Sequence, residues 1–109
     1  PELIALLAER RIPLEVCPTS NRRTGACPAD LIHPLAKLDA AGVVVTLDVD
    51  DPAMFDCTLL GEYELVAREL GRDVLVRIAR NGIEASFAEP ARKAALLNEF
   101  DAAVTNKVA

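Results

Sequence analysis

The 109-residue sequence predicts an α/β fold with parallel strands. Two runs rich in Val, Ile and Leu, "IPLEVCP" (12–18) and "VVVTLDVD" (43–50), carry strand propensity. Helix-forming stretches precede, separate and follow them. A strand, a helical crossover and a second strand is the connection that parallel pairing requires.

Each element follows from local signals. "PELIALLAERR" (1–11) spaces Leu3, Leu6 and Leu7 as a helix does and ends on Arg10-Arg11, as the helix dipole favours. "IPLEVCP" is the first strand. "TSNRRTGACPAD" (19–30) concentrates Ser, Asn, Gly, Pro and Asp and reads as a loop. "HPLAKLDAAG" (33–42) opens with Pro34 in a first-turn position and stops at Gly42, which makes a short helix. "VVVTLDVD" is the second strand. "TLLGEYELVARELG" (58–71) is an amphipathic helix closed by Gly71. "DVLVRIARNGIEASF" (73–87) is another, with Asp73 as its expected cap. "PARKAALLNEFDAAV" (90–104) starts at Pro90 and carries Leu96, Leu97, Phe100 and Val104 as a packing stripe.

Composition bounds the function. Hydrophobic residues make up 51% of the chain, enough for a core. A net charge of −5 and an aromatic content of 4% argue against a nucleic-acid binder, which needs a basic footprint or stacking platforms. No apolar run is long enough to span a membrane, so no membrane partner is expected. Three cysteines, Cys17, Cys27 and Cys57, without a secretory signal favour reduced thiols and a cytoplasmic location. Cys17, in a strand-like run, reads as a buried, inert thiol.

Parallel strands are normally covered on both faces and flanked by neighbours, and two strands provide neither. The chain also opens on a helix with no strand before it. These residues are therefore expected to be the end of a larger α/β protein. Ligands in such folds bind at the carboxyl ends of strands. There lie Ser20-Asn21, after the first strand, and Asp50-Asp51, after the second.

Strand alternation sorts the second run. Val43, Val45, Leu47 and Val49 share an apolar face suited to helices. Val44, Thr46, Asp48 and Asp50 share the other, which grows polar toward the strand end, as the inside of a barrel does toward its mouth. Buried carboxylates are costly unless they are paired or hold a metal.

"CPTSNRRTGA" (17–26), "HPL" (33–35) and "LDVDDP" (47–52), in this order and spacing, resemble the C-terminal part of the adenosine deaminase family. The resemblance extends through "EY" (62–63) and "NGIEASF" (81–87). It implies the C-terminal part of a zinc-dependent (β/α)8 TIM barrel, with the N-terminal part outside residues 1–109. The two strands would be the seventh and eighth. It also implies that Asp50 is a zinc ligand and that Asp51 hydrogen-bonds the purine ring. The histidine ligands, the catalytic Glu and the catalytic His of the family lie upstream, so no catalytic residue is expected here and one zinc ion would be completed from elsewhere.

The family usually has Asn-Thr before the acid pair, where this chain has Asp48-Val49. Asp48 faces inward by alternation and is expected to pair with a group that orients a metal ligand. Other markers have plainer readings. Asp51-Pro52 also fits a helix cap with a first-turn proline, and both roles are compatible. His33, the only histidine, reads as a cap or packing residue. Ser20 and Asn21 could line the mouth, but turn formation is the plainer reading. Arg22 and Arg23 are expected in solvent.

The implied activity is hydrolysis of adenosine to inosine and ammonia. A relative acting on adenine or aminodeoxyfutalosine is the alternative, and "DDPAMF" (50–55) fits that branch too. An inactive fragment that binds a ligand or partner is a third. The expected partners are a purine nucleoside or related small molecule and the remainder of the barrel.

Overall fold

Leu14 pairs with Val45 and Val16 with Leu47, in parallel, in the computed structural model, which describes residues 2–28 and 33–106. These strands, β1 (Leu14–Val16) and β2 (Val45–Leu47), form a two-stranded sheet among the described residues. α1 (Glu2–Glu9) precedes β1. α2 (Pro18–Arg23) and α3 (Leu35–Ala40) make the crossover, and α4 (Pro52–Phe55), α5 (Leu59–Leu70), α6 (Arg72–Ala85) and α7 (Pro90–Asn106) follow β2. Pro1 of the expected first helix and Ala29-Asp30 of the expected loop lie outside the described residues.

The core forms where α6 packs on β2 and α5 packs against α6. Val16, Leu35, Val43, Val45, Leu47, Val66 and Ile78 are buried together. Val45 and Ile78 are fully enclosed. Arg77 bridges α6 to α3 through Asp39, with Nε donating to Oδ1 at 2.9 Å. Arg80 reaches Asp101 on α7 at 3.0 Å. Both pairs are partly exposed and orient the helices more than they stabilise them. The Lys93 ammonium donates to the Glu84 carbonyl near the end of α6, a favoured place for a cation.

Leu14 N–H donates to the Val44 carbonyl and Asp48 N–H to the Val16 carbonyl. In a parallel ladder the Val45 carbonyl must then face away from β1. Asn81 Nδ2 donates to it at 2.9 Å, so a side chain from α6 covers a polar group on the open edge of β2.

Four expectations are corrected. The stretch after Cys17 is helical from Pro18, because the proline occupies the first position and Arg22-Arg23 the last turn, both helix-favouring placements. Asp73 makes no cap bond; α6 starts at Arg72, one residue after Gly71, whose φ of 91° ends α5. β2 stops at Leu47, where its partner β1 ends at Val16, and beyond it Asp50 adopts a left-handed φ of 63° that no strand continues. Alternation therefore does not place Asp48 and Asp50 on one face. Arg22 is not solvated: it forms a two-point pair with Glu69 on α5, Nη2 to Oε2 at 2.9 Å and Nη1 to Oε1 at 3.2 Å.

Candidate functional site at the strand ends

Because β1 and β2 are parallel and in register, their carboxyl ends emerge on the same side. Each leads into a short helix with proline at its first position, Pro18 in α2 and Pro52 in α4. Ser20, buried on α2, donates from Oγ to Asp50 Oδ2 at 2.8 Å. This bond joins residues from the two strand ends. Among the described residues, Ser20 is the one hydrogen-bond donor to the Asp50 carboxylate, and the residue is exposed. One carboxylate oxygen is thus held and the other is open, which suits a ligand waiting for a cation.

Asp51 is the cap of α4. Its Oδ1 accepts from Met54 N–H at 2.8 Å, which satisfies one of the donors that a helix start leaves free. Asp48 is exposed and accepts from Val49 N–H at 2.7 Å. No group of three or more His, Cys, Asp or Glu side chains able to hold a metal occurs among the described residues.

The surrounding groups are structural. His33 is buried; its Nδ1 accepts from Leu35 N–H at 3.0 Å and its Nε2 lies 3.1 Å from Asn21 Oδ1. A backbone N–H can only donate, so Nδ1 is the unprotonated nitrogen and Nε2–H donates to Asn21 Oδ1. The expected cap role is the one His33 fills. Burial, followed by the nearby Arg22 charge, pushes its pKa below the ordinary value. Cys17 is half-buried at the start of α2 rather than enclosed in the strand, and partial burial followed by the Asp48 and Asp50 carboxylates pushes its thiol up. All three cysteines are free.

Sequence reasoning about individual residues passed over Glu62. It is 2% exposed and accepts two bonds from Thr19 on α2, the backbone N–H to Oε2 at 3.1 Å and the hydroxyl to Oε1. The available signal was its position four residues before Val66, on the face that α5 buries.

A groove of about 710 Å³ is lined by Glu15, Thr46 and Asp48 and, after α6, by Phe87. It does not include Asp50 or Asp51. Phe87 and Leu60 are fully or largely exposed, as are Leu3 and Met54. No helix among the described residues is long and apolar enough to cross a membrane.

Residues 1–103 match the adenosine deaminase family. The chain belongs to that family. Aminodeoxyfutalosine deaminase of Streptomyces coelicolor is 50% identical over 103 residues, which cover 93% of this chain and 27% of that protein. The crystal structure of adenine deaminase from Arthrobacter aurescens superposes with a TM-score of 0.88 at 35% identity, over 95% of this chain and 32% of that one. An Arabidopsis ADAL structure complexed with IMP gives 0.82 at 36% identity, over 92% and 30%. The chain thus spans about a third of the length of these relatives. Two parallel strands with their flanking helices are part of a TIM barrel, as expected. The family activity is that of a purine deaminase, and the Streptomyces and Arthrobacter relatives are named for aminodeoxyfutalosine and adenine rather than adenosine.

Proposed function

We propose that this chain is the C-terminal segment of a cytoplasmic, zinc-dependent purine aminohydrolase whose substrate is aminodeoxyfutalosine. The observation that carries the reading is the meeting of Ser20 and Asp50 at the ends of two parallel strands, with Asp51 next in line. Half-identity to an aminodeoxyfutalosine deaminase favours that substrate over adenosine. Adenine is the second reading, supported by the likeness to the Arthrobacter adenine deaminase. Exposed apolar side chains such as Phe87 and the open sheet edges fit a segment that docks onto the rest of a barrel.

Asp50 would hold the zinc through its open oxygen, with histidines from outside residues 1–109 completing the site. When bound, zinc supplies a water whose pKa is lowered to about 7, so hydroxide is available at neutral pH. Water replaces the amino group on the purine carbon and ammonia leaves. Asp51 binds and orients the purine ring. Its Oδ1 is committed to α4, which leaves Oδ2 for the ring. An ionised carboxylate is acceptor-only, so a ring nitrogen that lacks a proton requires a proton on Asp51 or on the ring.

Ammonia release by the full-length protein on aminodeoxyfutalosine, adenine and adenosine tests the proposal. The expected order of kcat/KM places aminodeoxyfutalosine first. Preference for adenosine overturns the substrate assignment, and no turnover of any purine overturns the enzyme reading.

A further inference from the structure

We propose that Glu62 is a positioning residue: it anchors the first turn of α2 and thereby holds Ser20 in place to orient Asp50. The inference rests on the reading of Asp50 as a metal ligand.

A buried carboxylate is costly unless its oxygens are occupied. Both oxygens of Glu62 are taken by Thr19, which lies 43 residues away in sequence. Thr19 is the second residue of α2, so its N–H is one of the donors that the helix leaves without an internal partner. Cys17, in the cap position of α2, contributes no side-chain bond. Glu62 therefore does from a distant helix what a local cap would do.

α2 has six residues, far fewer than a helix needs to persist alone. Its position is set by its neighbours. Glu62 and Glu69 stand about two turns apart on α5 and grip Thr19 and Arg22 at the two ends of α2. Ser20 lies between these grips, and its Oγ reaches Asp50 Oδ2. A metal ligand held by a neighbouring hydrogen bond is oriented before the metal arrives. Releasing Thr19 frees Ser20 to move and leaves Asp50 unoriented.

Zinc affinity of the full-length apoprotein, measured by competition with a chelator, reads this chain of contacts without turnover. Glu62→Gln keeps the volume but presents an amide N–H₂ toward the Thr19 donors. It is expected to weaken zinc binding roughly tenfold, the low end for residues that support a ligand. Ser20→Ala should weaken it to a similar degree. The double variant should be no weaker than the worse single, because both changes break one chain of contacts. Thr19→Ala, which keeps the backbone bond to Glu62, should give a smaller loss and serves if Glu62→Gln does not fold. Unchanged affinity in Glu62→Gln, or in Thr19→Ala where that variant stands in, overturns the proposal. So does an additive double variant. Asp50→Asn is measured alongside. Zinc retained there overturns the ligand reading itself. Zinc lost there while Glu62→Gln binds normally overturns the role of Glu62 alone.

Discussion

Ser20 and Asp50 are 30 residues apart in sequence and are joined by a 2.8 Å hydrogen bond between the ends of parallel strands. The bond separates the three neighbouring acids by role. Asp50 has one oxygen held and one open, Asp51 caps a helix, and the Asp48 carboxylate bonds only to the next amide among the described residues. Asp50→Asn in the full-length protein should therefore lose zinc and purine turnover together. Asp48→Asn keeps an oxygen to accept from Val49 N–H and should retain zinc and most activity. Metal content and deamination rate of the two variants decide it. If Asp48→Asn strips the metal and Asp50→Asn keeps it, the ligand is Asp48.

Asp51 has two jobs that substitution can separate. Asp51→Asn keeps a good cap for α4 and removes the charge or proton offered to the purine. Asp51→Ala also strips the cap, at a cost of about 0.5–2 kcal/mol in stability. Both should bind zinc near one equivalent. Losing a hydrogen bond to a charged group costs about 1.5–3 kcal/mol, which is roughly ten- to hundredfold in kcat/KM. Thermal melts should show the larger loss for Asp51→Ala. Loss of zinc in Asp51→Asn would contradict the division of labour between Asp50 and Asp51.

What was legible in the sequence followed from local chemistry. The β-branched run from Val43 marked a strand, Gly42 and Gly71 marked helix ends, and Asp51-Pro52 marked a helix start. Helices between the strands implied parallel pairing, and that pairing brings Asp50 beside Ser20 on α2. Two kinds of feature were hidden. One was backbone geometry: the left-handed turn at Asp50 cancels the alternation argument, and Asp tolerates that conformation without announcing it. The other was long-range satisfaction of buried charge. Glu62 and Arg22 look like surface residues until tertiary structure supplies Thr19 and Glu69. The roles of Asp50 and Asp51 came from motif resemblance, since neither periodicity nor spacing singles out a zinc ligand.

Residues 1–109 produced alone should deaminate no purine and hold zinc weakly, because one carboxylate does not make a catalytic site. Among the described residues each strand of the two-stranded sheet keeps an unpaired edge, and Asn81 covers the Val45 carbonyl. Light scattering should reveal association that grows with concentration, the behaviour of open edges. A monomeric preparation with full deaminase activity would overturn the segment reading.

The last prediction concerns acid sensitivity through His33. Its Nδ1 accepts the Leu35 amide and its Nε2–H faces Asn21, so the neutral ring satisfies both partners. A second proton would sit on Nδ1 and oppose the amide. Burial, and after it the Arg22 charge, hold the folded pKa below the ordinary 6.5. Between that value and the lowered one, the unfolded chain binds more protons than the folded chain. His33 therefore contributes stability that is present in full above about pH 6.5 and is lost as the pH falls through the folded pKa. Denaturant midpoints of the full-length protein should fall from pH 7.5 to pH 5.5. His33→Asn keeps an acceptor for the Leu35 amide but does not titrate, so its midpoint should fall less over the same interval. Equal declines in the two proteins would assign the acid sensitivity to other groups and leave His33 as a cap alone.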